Sequence, residues 1–382
     1  MKILKVLLVG GGTGGHLYPL LSVSRKIRSY TKGQVKFLYI GPVNELSKTI
    51  LEENGIKVKR IFSSKWRRYF SVLNYLEILL FPIGIIQSLL SVLLFMPDVV
   101  FSKGGYGSVG PVIAARLYFI PILIHESDAV AGRANRFLAN LADKVAISFQ
   151  YARQYFKKEK VFFTGNPVRF NITAGNEETA RQIFNLRNNK PVIFVMGGSQ
   201  GSEIINQTLV KALPKLLKFY QIIHLTGKGK MDEIVEQVGK LGIKISRSDY
   251  HPYEFFSKEM IHAYKIADLI ISRAGATSIT EIAANKKPSI LIPLRHGANN
   301  HQIYNAYSVG RDGGAVVIEE HNLQREILIR KIREIFENRL LRENMTKLIG
   351  QFYYPDAADK LALALLYLGH VVDDIEGKGL FD

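Results

Sequence analysis

A doubly wound α/β architecture, built twice along one chain, is the fold class this sequence predicts. Three observations carry it. Short apolar strands alternate with longer helical stretches in both halves, the pattern of parallel strands joined by crossover helices. Each half opens with a strand, a glycine turn and a helix: residues 3–9 lead into Gly10 to Gly15, and residues 191–196 into Gly197 to Gly201. The 382 residues exceed one ordinary core and suit two domains.

In the first half, the apolar run 3–9 predicts a strand and 17–30 a helix. Residues 35–40 predict a second strand, and 98–101 and 120–124 two more, each followed by a helical stretch. In the second half, strands are expected at 191–196, 220–225, 269–272 and 289–293, with a helix running through Leu217 after the first. Thr164-Gly165-Asn166-Pro167 reads as the turn-rich linker between domains 1–164 and 165–354. A helix at about 355–370 closes the fold, and the acidic tail beyond it is expected to be mobile. Two such sheets facing across a cleft would take ligands at the carboxyl ends of their strands.

Composition narrows the function. The absence of cysteine excludes disulfides and cysteine metal sites and fits a reducing compartment. Residues 1–10 lack the cleavage site of a signal peptide, so a cytoplasmic location is expected. The formal charge of +18 favours a polyanionic partner, nucleic acid or an anionic membrane face. Its distribution favours the membrane. Lys57, Lys59, Arg60, Lys65, Arg67 and Arg68 lie between positions 56 and 76 without one acid, interleaved with Trp66, Tyr69 and Phe70. An ordinary solvated basic loop is the plainer reading. The uncharged stretch 78–97 follows, interrupted by Pro82, Gly84, Gln87, Ser88 and Ser91, and predicts one broken helix or two short ones.

The glycine turns carry the chemistry. Gly10-Gly11-Gly12-Thr13-Gly14-Gly15-His16 contains the spacing G-x-G-x-x-G after a strand and before a helix, where a main chain can approach an anion closely. A nicotinamide dinucleotide is excluded as the expected ligand, because the second strand ends Tyr39-Ile40-Gly41 with no acid until Glu45. His16 is a candidate general base, or a histidine that braces a loop. Lys103-Gly104-Gly105-Tyr106-Gly107-Ser108 is a second such turn. His125-Glu126-Ser127-Asp128 is expected just beyond the strand 120–124, where Asp128 either removes or orients a hydroxyl proton or caps a helix. Gly197-Gly198-Ser199-Gln200-Gly201-Ser202 presents a helix N-terminus able to hold a diphosphate without metal. No Asp-x-Asp pair occurs anywhere in the chain, so a metal-bridged nucleotide has no evident ligands. In Arg273-Ala274-Gly275-Ala276-Thr277-Ser278-Ile279-Thr280-Glu281, Glu281 stands one turn inside a helix, placed to accept from two vicinal hydroxyls or merely to complement the dipole. Asn299, Asn300, His301 and Gln302 are residue types that read sugar hydroxyls.

Together and in this order, these motifs resemble the MurG family, glycosyltransferase family 28, over nearly the whole chain. The resemblance rests on Gly11 to His16, Gly104-Gly105-Tyr106, His125-Glu126, Thr164 to Arg169, Gly197 to Gly201, Arg273 to Ala276 with Glu281, and His301-Gln302 with Asn305-Ala306. It implies the GT-B fold, with acceptor and membrane bound by the first domain and a UDP-sugar by the second. It implies inverting transfer of N-acetylglucosamine from UDP-N-acetylglucosamine to lipid I, giving lipid II for peptidoglycan, with no cofactor, no metal and no nucleic acid. Thr13, Gly14, Gly15, Arg169, Ser199, Ala276, Thr277, Ser278, Ile279, Thr280, Glu281 and Gln302 are then donor contacts, Ser257 lies near the uracil, and His16 or Asp128 is the base. The family usually has Asn where this chain has Asp128. The patch from Lys57 to Phe70 falls where the family meets the membrane, which implies a peripheral enzyme on the cytoplasmic face of the inner membrane. A transferase of the same fold acting on diacylglycerol competes, against the matches at His125-Glu126 and Gln302. A same-fold epimerase would not need the basic patch. A non-catalytic membrane-bound UDP-sugar-binding partner also competes, against the retention of His16 and Glu281.

Overall fold

The computed structural model describes residues 3–11, 14–63, 73–187, 190–198, 200–295, 300–371 and 381, with residues 73–80 as backbone only. Thr13, Ser199, Asn299 and the stretch from Lys65 to Phe70 lie outside the described residues. The chain divides into two compact units, residues 1–169 with 354–382 and residues 170–353.

The first unit runs β1 (Leu4–Val9), α1 (Gly14–Tyr30), β2 (Val35–Ile40), α2 (Glu45–Glu53), β3 (Ile56–Lys59), α3 (Leu73–Phe95), β4 (Val99–Ser102), α4 (Val109–Leu117), β5 (Ile122–Glu126), α5 (Arg133–Leu138), β6 (Lys144–Ile147) and β7 (Val161–Phe163). Its seven strands are all parallel, in the order β3-β2-β1-β4-β5-β6-β7. The order reverses beside β1 and β4, so their carboxyl ends open the crevice where a doubly wound sheet binds ligands. Strands β1, β4 and β5 are almost wholly buried, as continuous apolar runs in a two-sided parallel sheet must be.

The second unit runs α6 (Glu177–Ile183), β8 (Val192–Met196), α7 (Glu203–Leu216), β9 (Gln221–Leu225), α8 (Met231–Lys240), β10 (Tyr250–Tyr253), α9 (Met260–Ile266), β11 (Leu269–Ser272), α10 (Ala276–Ala284), β12 (Ser289–Leu291), α11 (His301–Gly310), β13 (Val316–Val317), α12 (Arg325–Glu337) and α13 (Arg339–Gly350). Its six strands are parallel in the order β10-β9-β8-β11-β12-β13. The final helix α14 (Ala357–Leu368) returns to the first unit and packs along α1.

Several expectations shift. Strand β5 extends through His125 and Glu126, so these two side chains are buried strand residues and do not follow the strand. Lys57 and Lys59, for which a solvated loop is the plainer alternative, lie on β3, an edge strand, where lysines discourage pairing with another chain. Residues 78–97 do not break: α3 is one helix of 23 residues running through Pro82, at the cost of one main-chain hydrogen bond. The tail from 372 to 380, expected to be mobile, lies outside the described residues; Phe381 packs edge-on against Phe162 at 5.0 Å.

Helix α3 is amphipathic in an inverted sense. Gly84, Ser88, Ser91 and Val92 face inward at helical spacing, and the two serines bond back to the carbonyls of Gly84 and Gln87. The small residues let α4 approach closely. A Cβ on Gly110 would sit 2.6 Å from Ser88 Oγ. Phe81, Ile83, Ile86, Leu90, Leu93 and Leu94 face outward, Leu94 with 86% of its surface exposed. Among the described residues no helix is long and apolar enough to cross a membrane.

Candidate active site

The carboxyl edge of the first sheet gathers titratable groups. The glycine turn after β1 delivers His16 to the first turn of α1, where it keeps some solvent exposure. Its ring lies on that turn, since a Cβ on Gly11 would sit 3.0 Å from His16 Nδ1. Burial, and then the charge of Lys103, lower the His16 pKa to about 4, against a smaller upward pull from Asp128. The imidazole is therefore neutral at physiological pH.

Lys103 is the residue that residue-by-residue reading of the sequence passed over. It directly follows β4, is 3% exposed, and its Nζ reaches His125 Nδ1 at 2.7 Å and Ser127 Oγ. Burial lowers its pKa to about 7, against an upward pull from Glu126 and Asp128. The Gly165 carbonyl, 3.1 Å from His125 Nε2, can only accept, so Nε2 carries the ring proton, with Ser148 Oγ at 2.9 Å, and Nδ1 accepts from Lys103. Burial, then Lys103, keep His125 well below the usual histidine range. Glu126 accepts three bonds of 2.9 Å, from the main chain of Asp128 and Gly132 and from Asn135 Nδ2. Burial and the neighbouring Asp128 raise its pKa, and those donors oppose the rise. His125 and Glu126 thus brace the loop that carries Ser127 and Asp128. Gly104 is required by contact as well as by its φ of +77°, because a Cβ there would collide with the Asn135 amide. Asn135 Oδ1 and Asn166 Nδ2 are buried side-chain atoms without a hydrogen-bond partner among the described residues.

The structure brings His16, Lys103 and Asp128 within electrostatic reach of one another. Gly14 and Gly15 form the start of α1 beside them. Arg169 ends this unit, with its guanidinium stacked 4.0 Å from the centre of the Tyr18 ring.

The second unit repeats the design at the carboxyl edge of β8, β9 and β11. Gly201, with φ +70°, and Gly227, with φ +95°, press their main chains together so closely that neither admits a Cβ. Behind them, buried His224 receives the Tyr250 hydroxyl at Nδ1 (2.8 Å), and Asn206 donates to the Thr226 carbonyl at 2.9 Å. Burial lowers the His224 pKa to about 3. Arg273 ties the next turn, reaching Ser202 Oγ at 2.7 Å, the Ile292 carbonyl at 3.1 Å and Glu320.

Helix α10 opens at Ala276 after Gly275. Ile279 and Thr280 point into the core, the Thr280 hydroxyl bonds back to the Ala276 carbonyl, and the Ile279 N–H is donated to the Gly275 carbonyl at 3.0 Å, so these two residues build the helix rather than face a ligand. Thr277 and Ser278 are half-buried on the first turn. Glu281 is 3% exposed and accepts a hydrogen bond of 2.9 Å from the Tyr264 hydroxyl. Gln302 accepts from the main chain of Leu294 at 3.1 Å, and Asn305 donates to the Ala274 carbonyl at 3.1 Å, fixing the turn before α10. Ser257 is exposed, with its N–H on Glu259.

Two parallel-sheet units of this kind, each with glycine turns at its carboxyl edge, define the GT-B fold class. Residues 6–147 match the model of the glycosyltransferase family 28 N-terminal domain, and residues 192–361 that of its C-terminal domain. The chain belongs to glycosyltransferase family 28. A relative from Clostridium tetani, named UDP-N-acetylglucosamine–N-acetylmuramyl-(pentapeptide) pyrophosphoryl-undecaprenol N-acetylglucosamine transferase, is 35% identical over 336 residues, covering 88% of this chain and 90% of its own. A relative from Bacillus cereus, named as transferase 2 of the same activity, is 38% identical over 335 residues, covering 87% and 92%. Among solved structures, Acinetobacter baumannii MurG superposes with a TM-score of 0.71 at 24% identity, over 95% of this chain and 99% of that one. The UDP-GlcNAc 2-epimerase of Neisseria meningitidis superposes with 0.68 at 15% identity, over 95% and 100%. At these identities the structures speak for the fold alone.

Proposed function

We propose that this chain transfers N-acetylglucosamine from UDP-N-acetylglucosamine to lipid-linked N-acetylmuramyl-pentapeptide, with inversion at the anomeric carbon. The observation that carries the reading is the cluster at the first sheet's carboxyl edge, where Asp128 and the buried Lys103 stand beside His16, whose imidazole burial keeps neutral. One of the two, His16 or Asp128, takes the proton from the acceptor hydroxyl as its oxygen attacks the anomeric carbon. The glycine turn that carries His16 and the loop braced by Glu126 that carries Asp128 support this reading.

In the second unit, the turn from Gly197 to Ser202 and the N-terminus of α10 hold the diphosphate through main-chain N–H groups and the helix dipole. They stabilise the charge of the departing UDP without a divalent ion, so turnover should persist in excess EDTA. Glu281 accepts from the ribose hydroxyls, Gln302 reads the sugar, and main chain near Ser257 reads the uracil.

The outward face of α3 contacts the membrane. Large apolar residues are outside and small ones inside, the reverse of a soluble helix, and Phe119 beyond α4 has 89% of its surface exposed. Lys57, Lys59 and the remaining cations up to Arg68 supply attraction to an anionic leaflet. This makes the protein peripheral, on the cytoplasmic face. The test of acceptor class is UDP release from UDP-N-acetylglucosamine with a lipid-linked muramyl-pentapeptide or with diacylglycerol. Release only with the former supports the reading. Release only with diacylglycerol replaces it with a glycolipid synthase, and release with neither favours a non-catalytic binding partner.

A further inference from the structure

We propose that Tyr264 is a positioning residue for the donor ribose, holding the Glu281 carboxylate in the orientation that receives the ribose hydroxyls. The inference rests on the reading of Glu281 as the ribose acceptor. Tyr264 is fully buried on α9, and its hydroxyl lies 2.9 Å from Glu281 Oε2 and 3.7 Å from Met196 Sδ. A phenol has one proton to give, and an ionised carboxylate is a far stronger acceptor than a thioether, so the proton goes to Glu281.

The geometry gives that bond a direction. Side chains on a helix lean toward its N-terminus, so Glu281 reaches back along α10 toward the turn at Gly275. Met196 is the last residue of β8, directly before the glycine turn at Gly197. The Tyr264 hydroxyl therefore sits between the two main-chain turns proposed for the diphosphate, with the carboxylate next to it. A carboxylate offers about four acceptor positions, so Glu281 can hold the Tyr264 hydroxyl and accept ribose hydroxyls at the same time. The ring itself cannot swing. Phe194 packs edge-on against it at 5.7 Å, and Phe194 in turn stacks on Phe256 at 6.2 Å. Phe256 precedes Ser257, so the same aromatic layer underlies the ribose carboxylate and the proposed uracil contact.

A site built to accept hydrogen bonds rejects a ligand that lacks the donor, because its buried polar group is left unpaired. Orientation of Glu281 by Tyr264 should thus appear as discrimination between UDP and 2′-deoxy-UDP. Calorimetric titration of the full chain with both nucleotides is the test, comparing wild type, Tyr264→Phe and Glu281→Ala. Wild type should prefer UDP by about tenfold. Tyr264→Phe should lose at least about threefold of that preference while binding 2′-deoxy-UDP nearly as wild type does, and KM for the UDP-sugar should rise with kcat little changed. Replacing Tyr264 by a ring-fluorinated tyrosine, whose hydroxyl donates more strongly at nearly the same volume, should retain or increase the preference; it serves as the arm if the phenylalanine variant does not fold. A folded Tyr264→Phe with full preference, or a fluorinated variant that loses it, overturns the proposal, as does equal weakening of both nucleotides, which marks a merely structural role. If Glu281→Ala also keeps the preference, the assignment of Glu281 falls first. If Glu281→Ala loses it and Tyr264→Phe keeps it, only the role of Tyr264 falls.

Discussion

Lys103 Nζ lies 2.7 Å from His125 Nδ1, a contact buried in the cluster at the first sheet's carboxyl edge. The charge of Lys103 adds to the burial that keeps His125 and His16 neutral. Lys103→Met keeps most of the stem and removes the charge. The His16 pKa, followed by NMR of the ring protons, should then rise from about 4 toward the ordinary 6.5 without reaching it, because burial is the larger cause. An unmoved titration would remove Lys103 from the electrostatics of the site.

The base is distinguished by paired substitutions. His16→Ala and Asp128→Asn should both lower kcat, and the true base should cost about 100-fold or more. A mild effect of Asp128→Asn with a large effect of His16→Ala assigns the proton to His16, and the reverse assigns it to Asp128. Losses below about tenfold for both, in folded variants, would dismiss both candidates.

Stability should fall on the acid side. His16, His125 and His224 are all held below a free histidine, mainly by burial. Such a group takes its proton more readily when unfolded, so unfolding absorbs protons once the pH drops below the unfolded value of 6.5. The loss runs down to about 4 for His16 and about 3 for His224. Each contributes about 1.4 kcal/mol per pH unit within its window. Glu126, whose pKa is raised, works in the opposite direction in the acid range. Urea midpoints should decline from about pH 7 to pH 5, and less steeply in His224→Gln. A flat profile would contradict neutral burial of these rings.

Membrane attachment should have two separable parts. Leu94→Glu with Phe119→Glu places acids on the most exposed apolar positions and should release the protein from anionic vesicles even at low salt. Replacing Lys65, Arg67 and Arg68 by Glu should weaken binding chiefly through the salt-dependent part, at about 1 kcal/mol per cation. Transfer to a short, water-soluble acceptor should be spared in both. Sedimentation of the double variant with anionic vesicles to the wild-type extent would show that this face is not the contact.

Much of this was legible in the sequence, for a physical reason. Parallel strands buried on both faces must be short apolar runs, and a main chain that approaches an anion must be glycine, so β1, β4, β8 and β11 and the turns after β1, β4 and β8 declare themselves. Glu281 and Asp128 stood out because acids at such edges are unusual. What stayed hidden depends on contacts distant in sequence. Lys103 looked like part of a glycine turn until His125 and Ser127, more than twenty residues later, closed on its ammonium. Tyr264 reads as an ordinary apolar helix residue; nothing local signals that its hydroxyl meets Glu281. The inverted face of α3 was obscured because an uncharged stretch with Pro82 and two serines reads as broken, although the serines bond back to their own helix.

The most direct test is the product. Purified protein given UDP-N-acetylglucosamine and a lipid I analogue should form UDP and an acceptor heavier by one N-acetylhexosamine. NMR of the new linkage should show it β, inverted from the α-linked donor. Hydrolysis or epimerisation of the donor with no gain of mass on the acceptor, or an α-linkage in the product, would contradict inverting transfer to a lipid-linked muramyl-peptide.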